Sequence, residues 1–137
     1  MADWNYKRDD TQYAREGNYW ATITEAEEKK SKSGNDMLVV TYSIDGTATT
    51  IKDFFVQGEY FNRRITKFFD AFKNIADGDF SYIKWIGKKG AVNLGKDDNG
   101  YLKIKRYIAS DSVELKDMSA PEPEAESLVI DDDNLPF

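Results

Sequence analysis

The chain has 137 residues, a formal net charge of −6 and neither cysteine nor histidine. That composition excludes disulfides, thiol catalysis, Cys- or His-ligated zinc, Ser-His-Asp chemistry and the usual general base near neutral pH. No apolar run approaches a membrane span, and the acidic start Met1-Ala2-Asp3 is unlike a secretory signal, so the expected compartment is the cytoplasm with no membrane contact.

Charge is distributed unevenly. Residues 1–116 hold all 19 Lys and Arg with 18 of the 25 carboxylates, whereas residues 117–137 hold seven carboxylates and no base. The low pI of about 4.7 therefore describes the tail, and a near-neutral body can still gather its bases on one surface. We expect a single domain over residues 1–116 and an acidic tail over 117–137. The tail has too little apolar surface to offset its ordering entropy, so it is expected to be unstructured when free, with Pro121 and Pro123 extending its linker.

In chain order, residues 1–16 are polar with three aromatics, and are expected to form an irregular arm with Trp4 or Tyr13 placed to close one end of the core. From Asn18 the pattern alternates as in a half-buried strand. Ala21 and Ile23 face inward and Trp20 turns outward, followed by a loop over Ser31 to Asp36. Met37 to Ile44 reads as a second strand with Leu38, Val40, Tyr42 and Ile44 inside. Asp45-Gly46 then signals a two-residue hairpin turn, which would oppose Val40 to Ile51, Val39 to Lys52 and Met37 to Phe54. This register places Lys52 and Phe54 outside with Met37 and Val39, and sends Asp53 inward. A buried carboxylate is unfavourable unless paired, so a bulge or strand end is expected near Asp53.

Over residues 59–76 the period changes. Phe61, Ile65, Phe68, Phe69, Phe72 and Ile75 recur at steps of three and four, with Arg63, Arg64 and Lys67 off that stripe, so an amphipathic helix is expected to run until Asp77-Gly78. Residues 79–86 carry no decisive pattern. Gly90 to Gly95 and Tyr101 to Ala109 form a last hairpin. A three-residue loop, Asp98 to Gly100, opposes Leu94 to Ile104 and turns Lys103, Lys105 and Tyr107 outward. Three strands, a helix and two strands give an all-β domain with one helix. That is the layout of a five-stranded antiparallel OB-fold barrel, with the helix between the third and fourth strands.

The last seven residues, Asp131-Asp132-Asp133-Asn134-Leu135-Pro136-Phe137, set three carboxylates before a short apolar tip. A merely solubilising run needs no such tip, whereas a docking peptide needs an anchor and a charged collar. This ending resembles the acidic tip of bacterial single-stranded DNA-binding proteins, which finish on an Asp-rich run and Pro-Phe; Asn134-Leu135 is a departure. Residues 17–46 pass from a first strand through Ser31-Lys32-Ser33-Gly34-Asn35 into an apolar second strand, and they resemble small phage-encoded proteins of that kind. The resemblance implies a phage protein of the host cytoplasm that binds single-stranded DNA without sequence specificity during replication or recombination. It also implies that Asp131, Asp132, Asp133, Leu135, Pro136 and Phe137 recruit replication or recombination proteins. Self-association is left open by the sequence.

The candidate binding face gathers Trp20, Met37, Lys52 and Phe54, bordered by Lys29, Lys30 and Lys32 in the first loop and by Lys88 and Lys89 at the opposite rim. Lys103, Lys105 and Tyr107 extend it along the last strand. Bases of any identity stack on aromatic rings while cationic groups follow the phosphates. Eight Phe, eight Tyr and three Trp mostly serve a small core, so only their faces decide which of them stack. No cofactor, metal ligand set or catalytic residue is expected. The rival readings are an OB-fold adaptor that contacts proteins only, and a metal-dependent nuclease built on Glu27-Glu28-Lys29, whose short spacing recurs by chance in charged stretches.

Overall fold

A computed structural model describes residues 3–118. The backbone forms β1 (Gly17–Lys30), β2 (Asp36–Ile44), β3 (Thr50–Val56), the helix α1 (Phe61–Ala71), β4 (Lys89–Lys96) and β5 (Leu102–Ile108). Short 3-10 turns cover Tyr82–Trp85 and Val113–Asp117. All strand pairs are antiparallel, in the order β3-β2-β1-β4-β5. The expected all-β class with a single helix between the third and fourth strands is the observed one. Its hydrogen-bonded ladder is open, with β3 and β5 as the edges. Side chains rather than a backbone ladder connect those edges, as set out below.

The β2–β3 connection differs from the expected tight turn. Thr41 opposes Lys52, Tyr42 opposes Ile51 and Val39 opposes Phe54, and the loop spans residues 45–49 with Ile44 N donating to Thr49 O at 3.0 Å. Tertiary partners select the longer loop. The Asp45 carboxylate takes hydrogen bonds from Thr22 and Lys89, Ala48 N donates to Gln12 O, and Thr49 Oγ1 accepts from Ala14 N. Because the register moves by two residues, the side-chain faces are unchanged. Lys52 and Phe54 point outward and Asp53 points inward, as the pattern required. No strand end occurs at Asp53; β3 runs on to Val56, because the carboxylate finds partners.

Two bulges re-aim the long strands. In β1 the register shifts between Ile23 and Glu25, so Ala26 returns to the core and Glu27 and Lys29 take the outer face. In β5 the expected pair of Leu94 with Ile104 forms, and Gly100 adopts a left-handed φ of 83°. A shift at Asn93/Leu94 then leaves Lys105 as the extra residue, and Tyr107 opposes Val92 inside the core. The outward Tyr107 expected from uninterrupted alternation is thereby corrected. One extra residue reverses the faces beyond it.

The core lies between the concave sheet and α1. Phe68 is central, its ring 4.8 Å from those of both Phe72 and Trp85 and 5.6 Å from that of Phe55. The helix is shorter than the 59–76 of the sequence pattern. It gives way at Phe72 (φ −104°, ψ 69°) to a turn closed by Ile75 N on Phe72 O, which keeps the apolar stripe buried without helical geometry. Phe72 lies against Gly90, where a β-carbon would approach its ring to 2.7 Å. Residues 79–86 supply Trp85 to the core, with its Nε1 donating to Asp79 O. Trp4 is 90% exposed and Tyr13 is also exposed, so neither closes the core; Ala14 is the arm residue that packs there. Among the described residues no helix is long and apolar enough to cross a membrane.

Candidate nucleic-acid interface

The seam between β3 and β5 is where charge concentrates. Asp53, inside β3, accepts a 2.6 Å hydrogen bond from the Tyr107 hydroxyl of β5 and a bifurcated contact from Arg64 Nη2 at 3.0 Å to each oxygen. Tyr107 also hydrogen-bonds the Tyr42 hydroxyl at 2.9 Å. Since the Tyr107 proton goes to Asp53, Tyr42 is the donor to Tyr107. Burial first, and the neighbouring Asp53 charge as well, push both phenols well above their ordinary value, so each stays protonated as a donor through the neutral range. Arg64 lies over the Phe55 ring, 4.9 Å from its centroid, and its Nη1 donates to Phe54 O, capping a carbonyl of the β3 edge. The buried carboxylate that the pattern made unfavourable is thus what fastens α1 to the open edge of the sheet.

Beside this fastening lies a cleft of about 380 Å³ between α1 and β5. Arg63, Arg64 and Lys67 enter it from the helix, and Lys105 and Arg106 from the strand, over a floor of Ile104 and Tyr107. The helix places its three bases at positions i, i+1 and i+4, with Arg63 and Lys67 on the exposed face and Arg64 at its border with the apolar stripe, one turn before Phe68. The β5 bulge brings in Lys105. Arg106 is held by a bidentate pair to Glu114 at 2.9 and 2.6 Å. That pairing raises the Arg106 pKa and lowers that of Glu114. Arg63 lies 5.9 Å from the Tyr60 ring centroid, and Lys67 and Lys105 have no carboxylate within ion-pair distance among the described residues. On the other side of Arg64, the outward ring of Phe54 is 46% exposed, next to the exposed Lys52.

The residues singled out by sequence divide into separate groups. Lys52 and Phe54 share the outer face with Thr41, Val39 and Met37. Lys29 pairs with Glu27 at 3.6 Å and Lys30 with Asp36, whose hydrogen bond raises the Lys30 pKa; Lys32 is exposed in the hairpin turn. Trp20 occupies the outer face at the opposite end of β1, half-buried and opposite Ala91. Phe54 is in line with Val39 and Glu27. At about 3.3 Å per residue, Trp20 and Phe54 are therefore roughly 20 Å apart along β1 and form no common platform. Lys89 is drawn into a half-buried ion pair with Asp45 at 2.8 Å, both side chains 12% exposed, and also donates to Thr22, its cross-strand neighbour. Lys88 is half-buried beside Asp79 and Lys84 at the far end of the sheet. Lys103 is exposed on the outer face opposite Gly95. Glu27 and Glu28 point to opposite faces of β1, so they do not converge as metal ligands. Asp131 to Phe137 lie outside the described residues.

Sequence reasoning left out Arg63, Arg64 and Lys67. Their signal was present in the three bases on one face of the amphipathic helix, but nothing local indicated that this face adjoins β5.

The fold and the seam define a small OB-type domain with a basic cleft flanked by an exposed aromatic. The chain belongs to the family described as protein of unknown function (DUF669), whose model matches residues 3–78, from the arm through β3 and α1. No curated protein matches the chain.

Proposed function

We propose that the domain binds single-stranded DNA along the outer face of β3 and through the α1–β5 cleft, without sequence specificity, as part of phage replication or recombination. The observation that carries this reading is the convergence of Arg63, Arg64, Lys67, Lys105 and Arg106 on one cleft beside exposed Phe54 and Lys52. A duplex offers its phosphates but stacks its bases inside. A single strand can lay a base on Phe54 while its phosphates cross Arg64 into the cleft. Neither the cleft nor the ring reads base edges, which favours indifference to sequence. The acidic tip, Asp131 to Asp133 with Leu135, Pro136 and Phe137, would serve as the recruiting peptide for a replication or recombination protein, steered by charge and anchored by the aromatic end.

The test is binding of fluorescent oligo-dT against the matching duplex across a salt series. Wild-type protein should prefer the single strand. Arg63→Ala with Lys67→Ala should weaken binding to all single strands alike and flatten the plot of log K against log salt by roughly 0.7 per lost phosphate contact. An unchanged slope in the folded double variant would remove the cleft from the binding path. Equal affinity for duplex would refute single-strand binding as the function.

A further inference from the structure

A second concave site lies at the opposite end of the sheet from the 45–49 loop. It is a cavity of about 290 Å³ with Met37, Leu38, Phe55, Phe61, Phe80 and Tyr82 in its wall and Glu28 and Asp36 among the residues that line it. Asp36 is paired with Lys30; Glu28 feels the same Lys30 charge but makes no ion pair of its own among the described residues. Phe80 in the wall is itself partly exposed, and Ile83 and Ile86 are exposed on the same segment before β4. An aromatic-lined cavity with exposed apolar residues on a segment that supplies its wall marks a contact surface. The acidic residues set its preference: an occupant with aromatic side chains next to a base.

The chain itself carries such a segment. The arm sets Trp4 and Tyr6, 90% and 79% exposed, just before Lys7 and Arg8. Arg8 pairs with Asp10, leaving Lys7 without a carboxylate partner among the described residues. The family match begins at residue 3, so the arm belongs to the same module as β1 to α1. The first fastening of the arm to the body is at Gln12, whose carbonyl accepts from Ala48, and this loop lies at the far end of β2 from the cavity. Residues 4–12 fully extended reach roughly 27 Å. The nine residues of β2 span the same distance on the same count, about 27 Å, so the arm would have to be drawn taut along the whole sheet to enter its own cavity. A neighbouring molecule places no such demand on it.

We propose that Trp4 and Tyr6 of one copy occupy the cavity between the β1–β2 hairpin and α1 of a second copy, with Lys7 against Glu28. Arm and cavity are different surfaces, so the contact closes into a dimer when two copies exchange arms and propagates when they do not. It leaves the α1–β5 cleft open and does not depend on the nucleic-acid reading.

Full-length protein labelled with 5-fluorotryptophan tests this without DNA, the Trp4 fluorine resonance being assigned from a Trp4→Phe sample. With rising concentration the Trp4 resonance should shift while sedimentation velocity shows association. Trp4→Ala with Tyr6→Ala, at exposed positions that the fold does not need, should weaken association at least about tenfold, as removal of aromatic anchors does. Glu28→Lys should also weaken it, and Lys7→Glu added to Glu28→Lys should restore it. Three results would each overturn the proposal. One is a sedimentation monomer with a solvent-like Trp4 resonance at every concentration. Another is a buried Trp4 resonance independent of concentration, which would place the arm in its own cavity. The third is association indifferent to the arm substitutions, which would place the contact elsewhere.

Discussion

Replacing Tyr107 by Phe tests how the open edges of the sheet are joined. The Tyr107 hydroxyl donates to Asp53 at 2.6 Å and accepts from the fully buried Tyr42 at 2.9 Å. Loss of the charge-assisted bond to Asp53 costs about 1.5 kcal/mol, the low end of its range, because Asp53 keeps Arg64 and the Phe54 amide. The Tyr42 hydroxyl is stranded at the same time, which adds about 1–3 kcal/mol for an unsatisfied buried group. Tyr107→Phe should therefore lose roughly 3 kcal/mol. Tyr42→Phe removes a neutral bond while Tyr107 keeps its acceptor, so it should lose about 1 kcal/mol. In the double variant no hydroxyl is stranded, and the combined loss should fall short of the sum by at least about 1 kcal/mol. Urea unfolding followed by far-ultraviolet circular dichroism and by tryptophan fluorescence, in which Trp85 is the buried reporter, measures all four corners of the cycle. Equal single losses, or strict additivity, would refute the chain of donors from Tyr42 through Tyr107 to Asp53.

The same phenols give a pH dependence. Their folded pKa values are raised, so the native state keeps protons that the unfolded chain releases near pH 10. Their contribution to stability should be complete below about pH 10 and lost as pH rises from there toward the folded values; thermal unfolding at successive alkaline pH values, in wild type and in the double Phe variant, checks it. Gly90→Ala should cost about 1–3 kcal/mol in urea unfolding, since the new methyl meets the Phe72 ring, itself packed against Phe68 and Tyr42. Gly95→Ala should cost less, because it meets the flexible Lys105 stem. With an oligo-dT of about six nucleotides, short for a single OB-fold, Phe54→Ala should lose roughly 1–3 kcal/mol of affinity and Trp20→Ala far less, as anisotropy titration would show. The reverse order would move the stacking site to the other end of β1.

Local pattern was enough for the elements of this chain, their order and most of their faces. Alternation gave Ala21 and Ile23, the β2 residues from Leu38 to Ile44, and the outward Lys52 and Phe54, because one face of each strand must be buried and the side-chain period is two. Steps of three and four gave the helix and its buried stripe for the same reason. Even the register error at Asp45-Gly46 was harmless to the faces, since a shift of two residues preserves them. A bulge adds one residue, however, and no composition announces it. The bulge at Lys105 carried Tyr107 from the outside, where alternation put it, into the core. Nor could local pattern supply distances between elements. It grouped Trp20 with Phe54 although the strand separates them, and it treated Lys89 as a surface base although Asp45 neutralises it and Thr22 accepts its hydrogen bond. The inward carboxylate of Asp53 was legible as a problem; its solution, Arg64 from the helix and Tyr107 from β5, required three segments far apart in the chain. Which bases converge on the cleft was decided there, because packing of α1 against the β3–β5 seam sets which charges share a surface.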